Sequence, residues 1–207
     1  MLSAAAAPSR DTITGLVLAG GRGSRMGGTD KGLVSFDGTP LARHALLRLR
    51  PQVARLAISA NRNLETYDRF GAPVWPDTLA DFPGPLAGVL AGLAQCDTPW
   101  LVTVACDTPR FPPDLVARLA WAAVREGSDI AMAANANAQA EPAFCLLRTG
   151  LADDLRAFLV GGGRRIQSWT ERHRTVHVPF DQPFDDPLAF ANINTPEQLA
   201  ALEKKAA

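Results

Sequence analysis

The feature that most constrains this chain is a junction near its start. An apolar run, Ile13 to Leu18, opens directly into Ala19-Gly-Gly-Arg-Gly-Ser-Arg-Met-Gly-Gly-Thr-Asp-Lys31. The run reads as the first strand of a domain. Gly20, Gly21, Gly23, Gly27 and Gly28 follow it, interspersed with Arg22 and Arg25 and closed by Lys31. Glycine lets a backbone adopt positive φ and approach a ligand with no Cβ in the way. Successive exposed N–H groups in such a loop form an anion-binding concavity. Arginine grips phosphate with paired hydrogen bonds, and lysine supplies a mobile point charge. The junction therefore predicts a polyphosphate held at the end of the first strand.

Two common phosphate loops fail on spacing. A Walker loop needs a serine or threonine directly after its lysine; Gly32 follows Lys31. A dinucleotide fingerprint needs G-x-G-x-x-G and an acid about twenty residues on. Gly21 and Gly23 fit, but Met26 takes the third glycine's place, and the second strand ends in Ser59. A charged surface loop with no ligand is the alternative. It rarely carries this density of cations directly after a buried strand.

Apolar runs then alternate with helical patterns. Residues 12–18, 56–59, 100–105 and 129–134 are expected strands. Helices are expected from Pro40 to Arg50 and over 63–70, 85–95 and 114–126. Such repetition implies a parallel sheet covered on both faces. Further on, 143–147 and 175–179 are expected strands, and 151–160 and 166–172 helices. Thr195-Pro-Glu-Gln198 is a helix start with a threonine cap, launching a last helix to about Lys204. The reading is one domain over 12–205, with residues 1–11 a flexible tail.

Composition narrows the class. The chain has 207 residues, 47% hydrophobic and 20% charged, which suits a globular domain with a core. Its formal net charge is zero, which argues against coating nucleic acid. Cys96, Cys106 and Cys145 are few and dispersed, as in a reducing cytoplasm. No apolar run reaches the ~20 residues of a membrane span. His44, His173 and His177 share no motif and are given no role.

Four segments carry a resemblance. Leu18-Ala-Gly-Gly with Arg25-Met-Gly-Gly and Lys31 resembles the signature loop of nucleotidyltransferases that activate a nucleoside triphosphate. Leu79-Ala-Asp-Phe-Pro-Gly-Pro-Leu-Ala-Gly88, Cys106-Asp-Thr-Pro109 and Asn192-Ile-Asn-Thr-Pro-Glu197 narrow it. Together, in order, they resemble the molybdenum cofactor guanylyltransferase family, from about Thr12 to Glu203. The resemblance implies an α/β three-layer nucleotidyltransferase fold with a mostly parallel sheet and a Rossmann-like first half. It implies transfer of GMP from GTP to the terminal phosphate of molybdopterin, with or without its molybdenum, releasing pyrophosphate. Mg²⁺ is the implied cofactor. GTP and molybdopterin are the implied small partners, joined by other cofactor-biosynthesis proteins or recipient enzymes. Nucleic acid and membrane are not among them.

The candidate residues follow. Asp107 ends the apolar run 100–106, and ligands of open α/β sheets bind outside that end. A carboxylate there suits Mg²⁺, and the resemblance gives it the metal; Asp-Thr-Pro is also good turn chemistry. Lys31 and Arg25 would follow the phosphates as charge builds, with Asp107 the catalytic set. Leu18, Ala19, Gly20, Gly21 and Asp77 join Lys31 and Asp107 on the nucleotide side, Asp77 accepting from base or ribose or capping a turn. Ser59 stands where the family often has asparagine, while Asn61 matches its Ala-Asn-Arg. Arg164 and Arg165, after Gly163, would hold the second substrate's phosphate or simply open a helix. Asn192 and Asn194 flank Ile193, so alternation puts both amides on one face, at the pterin side by resemblance. The remaining functional alternatives are a cytidylyltransferase for the same pterin, a sugar-phosphate nucleotidyltransferase, and a non-catalytic GTP-binding regulator.

Overall fold

A computed structural model describes residues 8–20, 30–79 and 84–204. One seven-stranded sheet runs through it. Its strands in chain order are β1 (Ile13–Leu18), β4 (Arg55–Ser59), β5 (Val74–Trp75), β6 (Trp100–Ala105), β7 (Ile130–Ala134), β8 (Ala140–Arg148) and β9 (Thr175–Pro179). A hairpin of β2 (Ser35–Phe36) and β3 (Thr39–Pro40) stands apart. The spatial order is β5-β4-β1-β6-β8-β7-β9. β8 pairs antiparallel with β6 and β7, and every other pairing in this sheet is parallel. Six strands therefore end at one edge, and β8 begins there.

Among the described residues, seven α-helices accompany these strands: α1 (Leu41–Leu49), α2 (Leu64–Asp68), α3 (Pro85–Gln95), α4 (Leu115–Arg125), α5 (Ala152–Val160), α6 (Ile166–Thr170) and α7 (Pro196–Glu203). Alternation along β1 sends Val17 to one face and Leu16 to the other. Val17 joins Leu46 and Leu49 of α1, and Leu115 and Leu119 of α4. Leu16 joins Leu90 of α3, Leu155 of α5 and Trp169 of α6. The result is helix, sheet, helix. Burying side chains of this size stabilises by roughly 1.5–3 kcal/mol each, so both faces of the parallel strands are apolar.

Some expectations change. The stretch 140–148 is longer than the expected strand and runs against its neighbours. Pro40 does not lie in the first turn of α1: it pairs with Ser35 in the hairpin and precedes the helix. Arg10 does not belong to a free tail. It sits in a short 3₁₀ turn, and its Nε donates to the Val53 carbonyl at 2.9 Å.

Candidate active site

The edge where β1, β4, β5 and β6 end gathers Leu18–Gly20, Lys31, Asp77, Asp107, Asn192 and Asn194. β1 stops at Leu18, whose carbonyl accepts from Cys106 N at 3.2 Å, while Ala19 N donates to the Ser59 carbonyl at 2.8 Å. These groups of Leu18 and Ala19 are therefore committed to the sheet, and the segment reaches solvent at the exposed Gly20. Gly21 and Arg25 lie outside the described residues, as do Arg22, Gly23, Gly27 and Gly28.

Lys31 returns the chain to this edge from the far side of the loop. Its Nζ lies 3.2 Å from Asp107 Oδ2, with both side chains about one-fifth exposed (19% and 20%). The same ammonium donates to Asn194 Oδ1. Three residues far apart in sequence thus converge on one point. The last of them is held on both sides. Ile193 N donates to the Asp107 carbonyl at 2.8 Å, and Asn194 N donates to Gln198 Oε1 at 2.7 Å. Thr195 caps α7 by accepting from Gln198 N at 3.3 Å, so Gln198 serves both the helix and the site. Asn192 accepts from the buried Thr108 hydroxyl. The Asn192 amide therefore meets Thr108 directly, whereas the Asn194 amide is joined to Asp107 only through the Lys31 ammonium.

Asp77 stands apart from this group, beyond β5. Asn61 Nδ2 donates to its Oδ2 at 2.8 Å, and Asp77 N donates back to Asn61 Oδ1 at 2.8 Å. Burial pushes its carboxyl above the usual range, and the Asn61 bond opposes this in part. The Asn61 amide also lies 3.3 Å from where a Cβ on Gly20 would sit. It thus joins Asp77 to the end of β1. Ser59 does not reach this edge. Its side chain is buried under α3, where a Cβ on Gly88 would meet its hydroxyl oxygen at 2.3 Å. A longer asparagine there would collide with the helix, and Asn61 is the amide that reaches the edge.

Arg164 and Arg165 are exposed at the exit of α5. Arg164 Nη1 donates to the carbonyls of Leu159 (2.9 Å) and Gly163 (2.6 Å). Gly162 has φ of 91°, and a Cβ on Gly163 would strike the Phe158 ring at 2.2 Å. These glycines therefore end a helix and make room for an aromatic ring, which is packing rather than a hinge.

The sequence reading passed over Asp30, Asn63 and Tyr67. Asp30 is 9% exposed and Tyr67 fully buried. Asp30 Oδ1 accepts from the Tyr67 hydroxyl at 2.6 Å and from Gly32 N at 3.2 Å; Oδ2 accepts from Asn63 Nδ2 at 2.9 Å. The available signal was a lone acid between the glycine loop and its lysine.

A metal can be judged against these donors. Asp107 offers carboxylate oxygens, and Asn192 and Asn194 offer amide oxygens. Among the described residues no group of three or more His, Cys, Asp or Glu could hold an ion. Magnesium, which binds through one or two carboxylates and completes its shell with substrate phosphate oxygens and water, fits such a sparse set.

A mostly parallel sheet with a cation, a carboxylate and amides at its carboxyl edge suits a nucleotidyltransferase. The MobA-like NTP transferase domain family matches residues 15–185. A molybdenum cofactor guanylyltransferase of an Acidovorax species is 62% identical over 200 residues, covering 92% of this chain and 95% of that protein. One from Cupriavidus necator is 55% identical over 201 residues, covering 95% and 99%. The crystal structure of molybdopterin-guanine dinucleotide biosynthesis protein A from Archaeoglobus fulgidus superposes with a TM-score of 0.78 at 25% identity, covering 93% of this chain and 98% of that one. The chain belongs to the molybdenum cofactor guanylyltransferase family.

Proposed function

We propose that this protein transfers GMP from GTP to the terminal phosphate of molybdopterin. An oxygen of that phosphate attacks the α-phosphorus of GTP. The bond from the α-phosphorus to the bridging oxygen breaks, pyrophosphate leaves with that electron pair, and a pyrophosphate link joins pterin and GMP. The observation that carries the reading is the convergence of Lys31, Asp107 and Asn194 at the carboxyl edge.

Little covalent chemistry is asked of the protein. It aligns two polyanions in line and screens their repulsion. Lys31 donates to the phosphates, held in place by Asn194, and Arg25 and the loop N–H groups of Gly20 and Gly21 add to the screening. Asp107 would hold Mg²⁺, which supplies Lewis-acid stabilisation of phosphoryl charge. Asn61 and Asp77 face the nucleoside end, next to Gly20. Asn192, Asn194, Arg164 and Arg165 are assigned to the pterin substrate.

Three free cysteines, two of them buried, support a reducing cytoplasm. Proteins that supply the pterin or receive the dinucleotide would be its partners there. The test is pyrophosphate release with GTP, CTP and ATP in turn, with and without molybdopterin. GTP alone should support release, and only with the pterin. CTP binding as tightly as GTP by calorimetry would overturn the guanylyl assignment and leave the fold standing.

A further inference from the structure

A lysine carries its charge on a flexible four-carbon stem, so the position of Nζ depends on how firmly its backbone is held. The backbone of Lys31 is held by its neighbour. Asp30 precedes the 3₁₀ turn Lys31–Leu33 and caps it through Gly32 N. Its carboxylate is closed over by two further donors, the Tyr67 hydroxyl at 2.6 Å and the Asn63 amide at 2.9 Å. Asn63 stands just before α2, and Tyr67 lies within its second half. Asn63 sits at φ 51°, in the left-handed region that asparagine tolerates.

We propose that Asp30, clamped by Tyr67 and Asn63, is the positioning residue that aims Lys31 at Asp107 and the substrate phosphates. The inference rests on Lys31 being the phosphate-binding cation of the proposed reaction. A carboxylate adjacent to a catalytic lysine is a competitor for its ammonium. Here its oxygens are occupied by three neutral donors, and the ammonium goes to Asp107 and Asn194 instead. Charged acceptors make the stronger hydrogen bonds, so the clamp gains stiffness from the same charge it withholds from Lys31. Tyr67 is suited to stay a donor, because burial and the adjoining Asp30 raise its pKa. Gly32 belongs to the device as well. A Cβ there would meet the Tyr67 hydroxyl oxygen at 2.3 Å, so only glycine lets the hydroxyl pass to Asp30. The clamp also ties the two substrate anchors together, since α2 starts three residues beyond Asn61.

The test is a double-mutant cycle on pyrophosphate release from GTP with molybdopterin, at a temperature where circular dichroism shows every variant folded. Tyr67→Phe should lower the saturated rate about 5–10-fold in the wild-type background and under about 2-fold in Lys31→Ala, because the clamp acts through Lys31. The pair Asp30→Asn with Asn63→Asp exchanges donor and acceptor at constant charge. It should recover more of the rate than either single change, and it carries the test should Tyr67→Phe fail to fold. Equal losses in both backgrounds, or no recovery in the exchange, would overturn the clamp while leaving the proposed reaction intact. A Lys31→Ala protein with wild-type turnover would overturn both the clamp and the role given to Lys31.

Discussion

Asp107 and Asp77 stand at the same edge of one sheet, in settings that suit different work. Asp107 lies two residues past the end of the central strand β6 and faces an ammonium at 3.2 Å. Asp77 follows the short outer strand β5 and faces a neutral amide at 2.8 Å. A cation beside a carboxylate balances its charge when water is excluded, whereas an amide offers only a hydrogen bond. Burial accordingly raises the pKa of Asp77. Position in the sheet thus sorts two like carboxylates, one to an ammonium and the other to an amide, which matches the separate roles given to them in the proposed reaction. Ser59 and Asn61 show the same sorting for polar side chains. The residue inside β4 packs under α3, and the one just past its end reaches the ligand edge.

The largest effect expected from this comparison falls on Asp107. Asp107→Asn should lower the transfer rate by roughly 10²–10⁴, because Lewis-acid stabilisation is worth several kcal/mol. Melting should move less than the rate, since the asparagine amide oxygen can still accept from the Lys31 ammonium. Pyrophosphate release at varied Mg²⁺, with a thermal melt, checks both. Near wild-type turnover would break the comparison and make Asp77 the next carboxylate to examine.

A smaller effect is expected for the side chains meeting Asp107. Lys31→Ala removes a charge-assisted bond to phosphate, worth about 1.5–3 kcal/mol, so GTP affinity should fall roughly 10–100-fold. Asn194→Ala removes an acceptor from the Lys31 ammonium without touching a phosphate bond itself, and this indirect loss should weaken GTP only roughly 3–10-fold. The resemblance placed Asn194 on the pterin side. Its contact with Lys31 makes a modest nucleotide effect unavoidable. Calorimetric GTP titration beside single-turnover transfer separates the two. Equal losses of affinity would assign Asn194 wholly to the nucleotide.

The legible parts of this molecule are those where local chemistry and tertiary role agree. Ile13–Leu18 and Trp100–Ala105 are apolar on both faces because helices cover both, so their burial is written in composition. Thr195-Pro-Glu-Gln198 announces a helix, although the hold of Gln198 on Asn194 does not show until the chain folds. The hairpin at 35–40 carried an Asp37-Gly38 turn signal, and both residues adopt positive φ; its two-residue strands are too short for periodicity to reveal. The direction of β8 was illegible, because its apolar run Phe144–Leu147, buried on both faces, reads alike whichever way it runs. Asp30 was passed over for another reason. A buried carboxylate is recognised by its donors, and Asn63 and Tyr67 lie more than thirty residues away.

The smallest effect sharpens the other half of the comparison. Asp77→Asn keeps an oxygen to accept from Asn61 but removes the charge. Guanine presents N–H donors that a carboxylate accepts more strongly than an amide does. GTP affinity should therefore fall roughly 3–10-fold, with ATP and CTP changing less. Stability should move the other way. A carboxyl whose folded pKa lies above its unfolded value contributes fully below the unfolded pKa and loses that contribution as pH rises through the folded one. Asp77 is such a group, and the asparagine variant lacks the dependence. The variant should melt slightly above wild type near neutral pH, by a few degrees at most given solvent screening of a half-buried group. The gap should close as pH drops below the normal carboxylate range. Melting curves at acid and neutral pH, read beside titrations of the three nucleotides, decide the matter. A gap that closes with unchanged nucleotide preference would leave Asp77 as a lock on its loop, and base selection would pass to backbone groups at the end of β1.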